Sequence, residues 1–153
     1  MKILNATKEY SKEISKLMLS DLKNSSTLFP QEMILKFKEH AKEENIIKEF
    51  ENPELISFLA IEKNIVVGFI VGYLEDSNTS MLHYITAKNE KVKEALLMRF
   101  INECKIKNIN RIIADTFEFM NNNTLFKSHN FILTKKEKII NNLEMLWYEL
   151  KLK

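Results

Sequence analysis

His83 and Tyr84 stand side by side in the segment MLHYIT, and both side chains can exchange a proton with a bound reactant. A few residues on, AKNEKVKEALL opens a helix with Lys88, Lys91 and Lys93 at its start. Lysines in a first helical turn oppose the helix dipole, so their presence hints at an anionic partner. The competing reading is a solvated, charged helix start with no ligand. The three histidines, His40, His83 and His129, lack metal-ligand spacing, and no metal site is expected. The single cysteine, Cys104, falls on an apolar helical stripe and reads as a small buried hydrophobe. No serine sits in a nucleophile elbow.

These groups need elements to hold them. Met1 to Asn5 reads as a short strand, and Thr7 as the cap of a helix with Tyr10, Ile14, Leu17, Met18 and Leu22 on one face. Pro30 suits the first turn of a second helix, which carries Met33, Ile34, Phe37, Ala41 and Ile47 and runs to about Phe50 before Pro53 stops it. Ser57 to Glu62, the turn Lys63-Asn64 and Ile65 to Leu74 read as a β-hairpin. Glu75 to Thr79 is a polar connection, and Ser80 to Thr86 another strand. Asn89 can cap a helix bearing Val92, Ala95, Leu96, Phe100, Ile101 and Cys104. Arg111 to Phe117 is a strand, and Asn121 to Asn123 can cap a short helix with Leu125 and Phe126. Phe131 to Glu137 and Leu143 to Leu152 close the chain as strands joined across Asn141-Asn142. This order predicts an α/β (α+β) fold: a mixed, mostly antiparallel sheet with helices on both faces, and a parallel pair flanking the Asn89 helix.

Bulk composition narrows the function classes. The 153 residues fit one domain spanning 1–153, and 45% hydrophobic with 29% charged residues is a globular composition. A net charge of +2, from 23 basic and 21 acidic residues, is too balanced to point to nucleic acid or an anionic membrane. No apolar run approaches a membrane span, no signal peptide is legible, and one cysteine suits a reducing cytoplasm. Only two glycines are present, so backbone can approach a ligand without an intervening Cβ at few places.

Four segments together carry a resemblance. FLAIEKNIVVGFIVGYLE has the polar turn and early glycine, Gly68, of one hairpin; MLHYITAKNEKVKEALL, RIIADTFEFMNNN and TLFKSHNF follow in order. Their order and spacing resemble the GNAT superfamily of N-acetyltransferases over nearly the whole chain. The resemblance implies acetyl-CoA bound where the fourth and fifth strands splay apart. It implies direct acetyl transfer to an amine acceptor, a small molecule or a peptide, without a covalent enzyme intermediate. Main-chain groups near Ile85, Thr86 and Ala87 would hold the pantetheine. The amides from Lys91 through Val92, Lys93 and Glu94 to Ala95 would face the pyrophosphate, and Asn121 or Asn122 would meet the CoA arm. His83 and Tyr84 are the candidates for general base. Because adjacent strand residues alternate faces, at most one of them is expected to face the acceptor.

The chain departs from the family pattern in three places. The pyrophosphate loop has no glycine and is one or two residues short, so lysine charge stands where close approach would be. Phe126 lies where the family has a tyrosine that protonates the leaving thiolate; Ser128 and His129 are nearby substitutes. Asn130 replaces a glycine and tolerates the same left-handed conformation. These departures leave a second reading open, a non-catalytic member of the fold that acts as a ligand-binding or protein-interaction module. The last strand, MLWYELKLK, is a possible homodimer edge.

Overall fold

The computed structural model describes residues 1–120, 122–140 and 143–153. Seven strands form one sheet: β1 (Lys2–Asn5), β2 (Leu55–Glu62), β3 (Ile65–Leu74), β4 (Thr79–Ala87), β5 (Arg111–Phe117), β6 (Ile132–Lys138) and β7 (Glu144–Lys151). Their order is β1-β2-β3-β4-β5-β7-β6. Every pairing is antiparallel except β4 with β5, which is parallel as the sequence order predicts. Five α-helices complete the described fold: α1 (Ser11–Ser25), α2 (Gln31–His40), α3 (Glu43–Glu49), α4 (Glu90–Ile106) and α5 (Asn122–Ser128).

The sheet has two buried faces. On one, Val92, Leu96, Phe100 and Cys104 of α4 pack over Phe58, Ile70, Leu82 and Ile112. On the other, Ile14 and Met18 of α1 and Ile46 of α3 cover Leu59, Phe69 and Val71. β3 contributes to both faces, which explains its nearly continuous apolar run. Both glycines lie on β3 beneath α4. A Cβ at Gly68 would meet Leu96 Cδ1 at 2.8 Å, and one at Gly72 would meet the Met81 carbonyl oxygen at 2.4 Å. They are the places where the sheet is thinned to receive the helix.

The hairpin turn Lys63-Asn64 has positive φ at both residues, 49° and 64°, as a two-residue turn between twisted strands requires. Asn130 takes φ 67° after α5, the conformation expected of it. The Asn141-Asn142 turn lies outside the described residues.

Two local expectations are corrected. The second helix is not continuous to Phe50. It breaks at Ala41–Lys42, where Lys42 takes an extended conformation and the Ala41 carbonyl, freed from the helix, accepts from the Ser15 hydroxyl of α1 at 2.6 Å. The break resets the helical phase, so Ile46 turns inward and Ile47 is left exposed. Thr7 opens a 3-10 turn over Lys8–Tyr10 and makes no side-chain cap; α1 starts at Ser11, whose hydroxyl bonds the Lys8 carbonyl at 2.6 Å.

Candidate functional site

β4 and β5 pair only from Thr79 with Arg111 to Leu82 with Ala114. Beyond that point they diverge, while β4 stays paired with β3 as far as Ala87. The divergence begins at an irregularity. Val71 pairs with Tyr84 but Gly72 pairs with Leu82, so β4 holds His83 as one extra residue, a β-bulge. The bulge resets the alternation of side chains. Leu82 and Ile85 both lie on the α4 face, and His83 and Tyr84 both line the same cavity. The alternation expected of adjacent strand residues is therefore broken by a single inserted residue, and both side chains reach the cavity.

Among the described residues, the gap leaves one edge of β4 unpaired beyond Leu82. Lys88 N–H donates to the Val67 carbonyl at 2.8 Å, so that residue's main-chain groups point toward β3. Counting back along β4 by strand alternation, Thr86 also points toward β3, and the N–H and C=O of Ile85 and Ala87 point into the gap. An extended chain laid there would find a strand edge ready to bond it.

A cavity of about 310 Å³ runs from this gap across the sheet. On the α4/α5 side it is lined by Ile85, Thr116, Asn122 and Phe126, and on the α1/α2 side by His83, Asp115, Phe117 and Phe37. The Thr116 hydroxyl is buried and has no hydrogen-bond partner among the described residues. A buried, unpaired hydroxyl facing a cavity is a group that a ligand would satisfy.

His83 is exposed, with its ring 6.1 Å from that of Tyr73. Asp115 stands on the same side of the sheet. Burial raises its carboxyl above the usual carboxylate range, and the nearby His83 partly offsets the effect. Tyr84 has a different task. Its hydroxyl donates to Asp21 Oδ2 at 2.6 Å, tying β4 to α1, and burial together with the Asp21 charge holds the phenol well above its usual value.

At the start of α4, the Asn89 side chain accepts from Val92 N–H at 3.0 Å, as its capping role predicts. Lys93 N–H is bonded to the Asn89 carbonyl. The N–H groups of Glu94 and Ala95 lie inside the helix, so those of Glu90 and Lys91 are the open ones at this terminus among the described residues. The three lysines divide. Lys88 bonds Glu62, while Lys93 reaches Asn122 Oδ1 at 3.2 Å and Glu90 at 3.4 Å. Lys91 is exposed and pairs with no described residue. Asn121 lies outside the described residues.

Phe126 is buried against Phe131 and Tyr148, with ring centroids 5.2 and 5.5 Å away. Ser128 and His129 do not line the cavity. Ser128 bonds the Leu125 carbonyl, and His129 lies between that carbonyl and Glu94, 3.4 Å from its carboxylate. Glu75 and Asp76 are exposed and outside the cavity. Cys104 is fully buried, and burial pushes its thiol up to about 11, so it packs and does not react. Asp115 and Thr116 were not singled out by sequence reasoning. Their alternation within RIIADTF was the available signal, but it marks two faces without saying that a cleft opens between them.

Among the described residues no group of three or more metal-ligating side chains occurs, and no helix is long and apolar enough to cross a membrane.

No family profile matches the chain, and no curated protein does. Solved structures do. An acetyltransferase of the GNAT family from Staphylococcus aureus matches with a TM-score of 0.78 at 24% identity, covering 99% of each chain. The PaiA N-acetyltransferase from Thermoplasma acidophilum, in complex with coenzyme A, matches with a TM-score of 0.78 at 16% identity, again over 99% of each chain. The aminoglycoside 6'-N-acetyltransferase from Enterococcus faecium matches with a TM-score of 0.75 at 14% identity, over 100% of this chain and 98% of its own. The fold is that of the GNAT acetyltransferases.

Proposed function

We propose that this chain is an acetyl-CoA-dependent N-acetyltransferase acting on an amine by direct transfer. The observation that carries the reading is the divergence of β4 from β5 at the His83 bulge, with an open cavity crossing the sheet at that point. Acetyl-CoA would supply an acyl group on a fair leaving group; the chain supplies position and proton handling.

The residues present fit such a co-substrate. The main-chain edge at Ile85 and Ala87 suits a pantetheine arm, with its two amides. Thr116 offers an unpaired hydroxyl in the gap. The open N–H groups of Glu90 and Lys91, with the Lys91 and Lys93 ammonium groups, suit a pyrophosphate at a helix start that has no glycine. Asn122 is held in place by Lys93.

On the acceptor side, an amine arrives as an ammonium and must lose a proton to attack the thioester carbonyl. The ammonium gives one proton to the protein, the C–N bond forms as the C–S bond breaks, the nitrogen's second proton leaves to solvent and the thiolate takes one from solvent. Asp115 and His83 line this side and are the groups placed to accept that proton, whether directly or through water. Tyr84, whose hydroxyl already donates to Asp21, positions β4.

A specific pair of observations favours a second reading. Phe126 has no proton to give a leaving thiolate, and the helix start lacks glycine, as in a non-catalytic module that has lost cofactor binding and binds another ligand or a protein. Thermal unfolding with millimolar acetyl-CoA, with CoA and with neither decides between them. A ligand at about 100 times its Kd adds roughly 2.7 kcal/mol to the folded state. A raised midpoint with both ligands supports the transferase, and no change moves the assignment to the module.

A further inference from the structure

The cavity on the acceptor side has a distinctive lining. Four of the seven methionines and five of the ten phenylalanines in the chain face the cavity. Thioethers and aromatic rings together make a soft, polarisable wall that adapts to an apolar body. Phe29 anchors it from the segment just before α2, meeting Phe117 edge-on at 5.3 Å and Phe119 at 5.1 Å. Phe37 of α2 leans on the Tyr84 ring at 5.7 Å, so the wall is braced from α2, the segment before it and two strands.

Charge inside is sparse. Asp115 is the carboxylate at the sheet end of this lining, next to His83. The other lining carboxylate, Glu49, belongs to α3 and shares its region with Lys36 and His40 of α2. A polycation brings several ammonium groups, each of which needs an acceptor when taken from water. One interior carboxylate, with the Lys36 ammonium at the helical side, offers too few. A free amino acid would bring a carboxylate, and the one lysine of the lining, Lys36, stands on α2 and already pairs with Glu32 at 3.6 Å. A cavity of about 310 Å³ is at the small end for a ligand site and must also hold the acetyl end of the co-substrate.

We infer that the acceptor is a small primary monoamine with one aromatic or branched apolar body, its nitrogen at Asp115 and His83 and its body among Phe29, Phe37, Phe117, Met33 and Met120. This rests on the proposed transferase reading for turnover, but the site itself is testable by binding alone.

The experiment compares 2-phenylethylamine with spermidine, measuring binding to the wild-type chain by calorimetry with and without CoA, and acetylation with acetyl-CoA. The expected result is binding of 2-phenylethylamine without CoA and a kcat/KM at least about tenfold above that for spermidine, the scale on which apolar pockets discriminate. Phe117→Ala should raise KM for 2-phenylethylamine and leave that for spermidine unchanged. Met120→Gln tests the same wall should the first variant fold poorly. A preference for spermidine, or equal use of both amines, overturns the inference while leaving the transferase intact. Binding of 2-phenylethylamine by a chain that does not bind CoA supports the inference and overturns the transferase. Failure to bind 2-phenylethylamine in either state overturns the inference whatever CoA does.

Discussion

His83 and Tyr84 are consecutive residues of one strand, yet both face the same cavity, because β4 carries one residue more than β3 between Gly72 and Val71. The same bulge coincides with the end of pairing between β4 and β5. One inserted residue thus brings together a histidine with an accessible ring and a tyrosine whose hydroxyl is committed to Asp21. The two neighbours should separate cleanly under mutation. Tyr84→Phe removes the bond to Asp21 and should cost about 1 kcal/mol of stability in urea unfolding, with the kcat pH profile unchanged in shape. His83→Ala should leave stability within about 0.5 kcal/mol and lower kcat. The reverse pattern would assign Tyr84 the proton transfer.

Asp115 links activity and stability with opposite signs. Burial raises its folded pKa, so the stability it contributes is complete below the ordinary carboxylate pKa and is lost as pH rises through the raised value. At neutral pH the ionised form is a net cost. Asp115→Asn should therefore raise the unfolding midpoint at pH 7 relative to wild type and narrow that difference as pH falls toward 4. The same variant should lower kcat by about 100-fold if the carboxylate takes the amine proton. Wild-type kcat/KM should fall with acidification through a pKa above the usual carboxylate range, a limb absent from the variant.

Two buried hydroxyls lack partners among the described residues, Thr116 Oγ1 and the Tyr148 hydroxyl. Only Thr116 lines the cavity. Replacing an unsatisfied buried hydroxyl by an apolar isostere relieves its desolvation, so Tyr148→Phe and Thr116→Val should each stabilise the free protein by about 1 kcal/mol. Calorimetry with CoA should then tell them apart: weaker binding for Thr116→Val, unchanged binding for Tyr148→Phe.

The lysines at the start of α4 give a salt-dependent prediction. Lys91→Ala with Lys93→Ala should raise the Kd for CoA by roughly three- to thirtyfold at low ionic strength, each charge being worth about 0.3–1 kcal/mol near a helix terminus. The effect should shrink in 0.5 M salt. An unchanged affinity would remove charge as the replacement for the missing glycines. Lys88→Ala should have little effect, since Lys88 bonds Glu62.

The two glycines should differ in tolerance. At Gly72 the added methyl meets backbone, the Met81 carbonyl oxygen at 2.4 Å, and the Phe100 ring at 2.6 Å. At Gly68 it meets the end of the Leu96 side chain, which can rotate away. Gly72→Ala should lose about 1–3 kcal/mol in urea unfolding, and Gly68→Ala less.

Much of the scaffold is local chemistry and was legible in the sequence. Apolar spacing marked α1, α4 and the strands; the Lys63-Asn64 turn, the Asn89 cap and the left-handed Asn130 follow from what those residue types do in a short stretch of chain. Strand order, with its resemblance to a known fold, then placed the parallel pair. Tertiary contacts decided the rest. The extended Lys42, with the Ala41 carbonyl bonded to Ser15 of α1, divides one expected helix into two and reverses the roles of Ile46 and Ile47, which no periodicity within 30–50 announces. The bulge at His83 depends on how β4 registers with β3, a relation between residues that the linear pattern of either strand does not carry. Asp115 and Thr116 became candidates only when β5 parted from β4, because a strand's sequence sets which faces its side chains take and the neighbouring strands decide whether one of them opens onto a cavity.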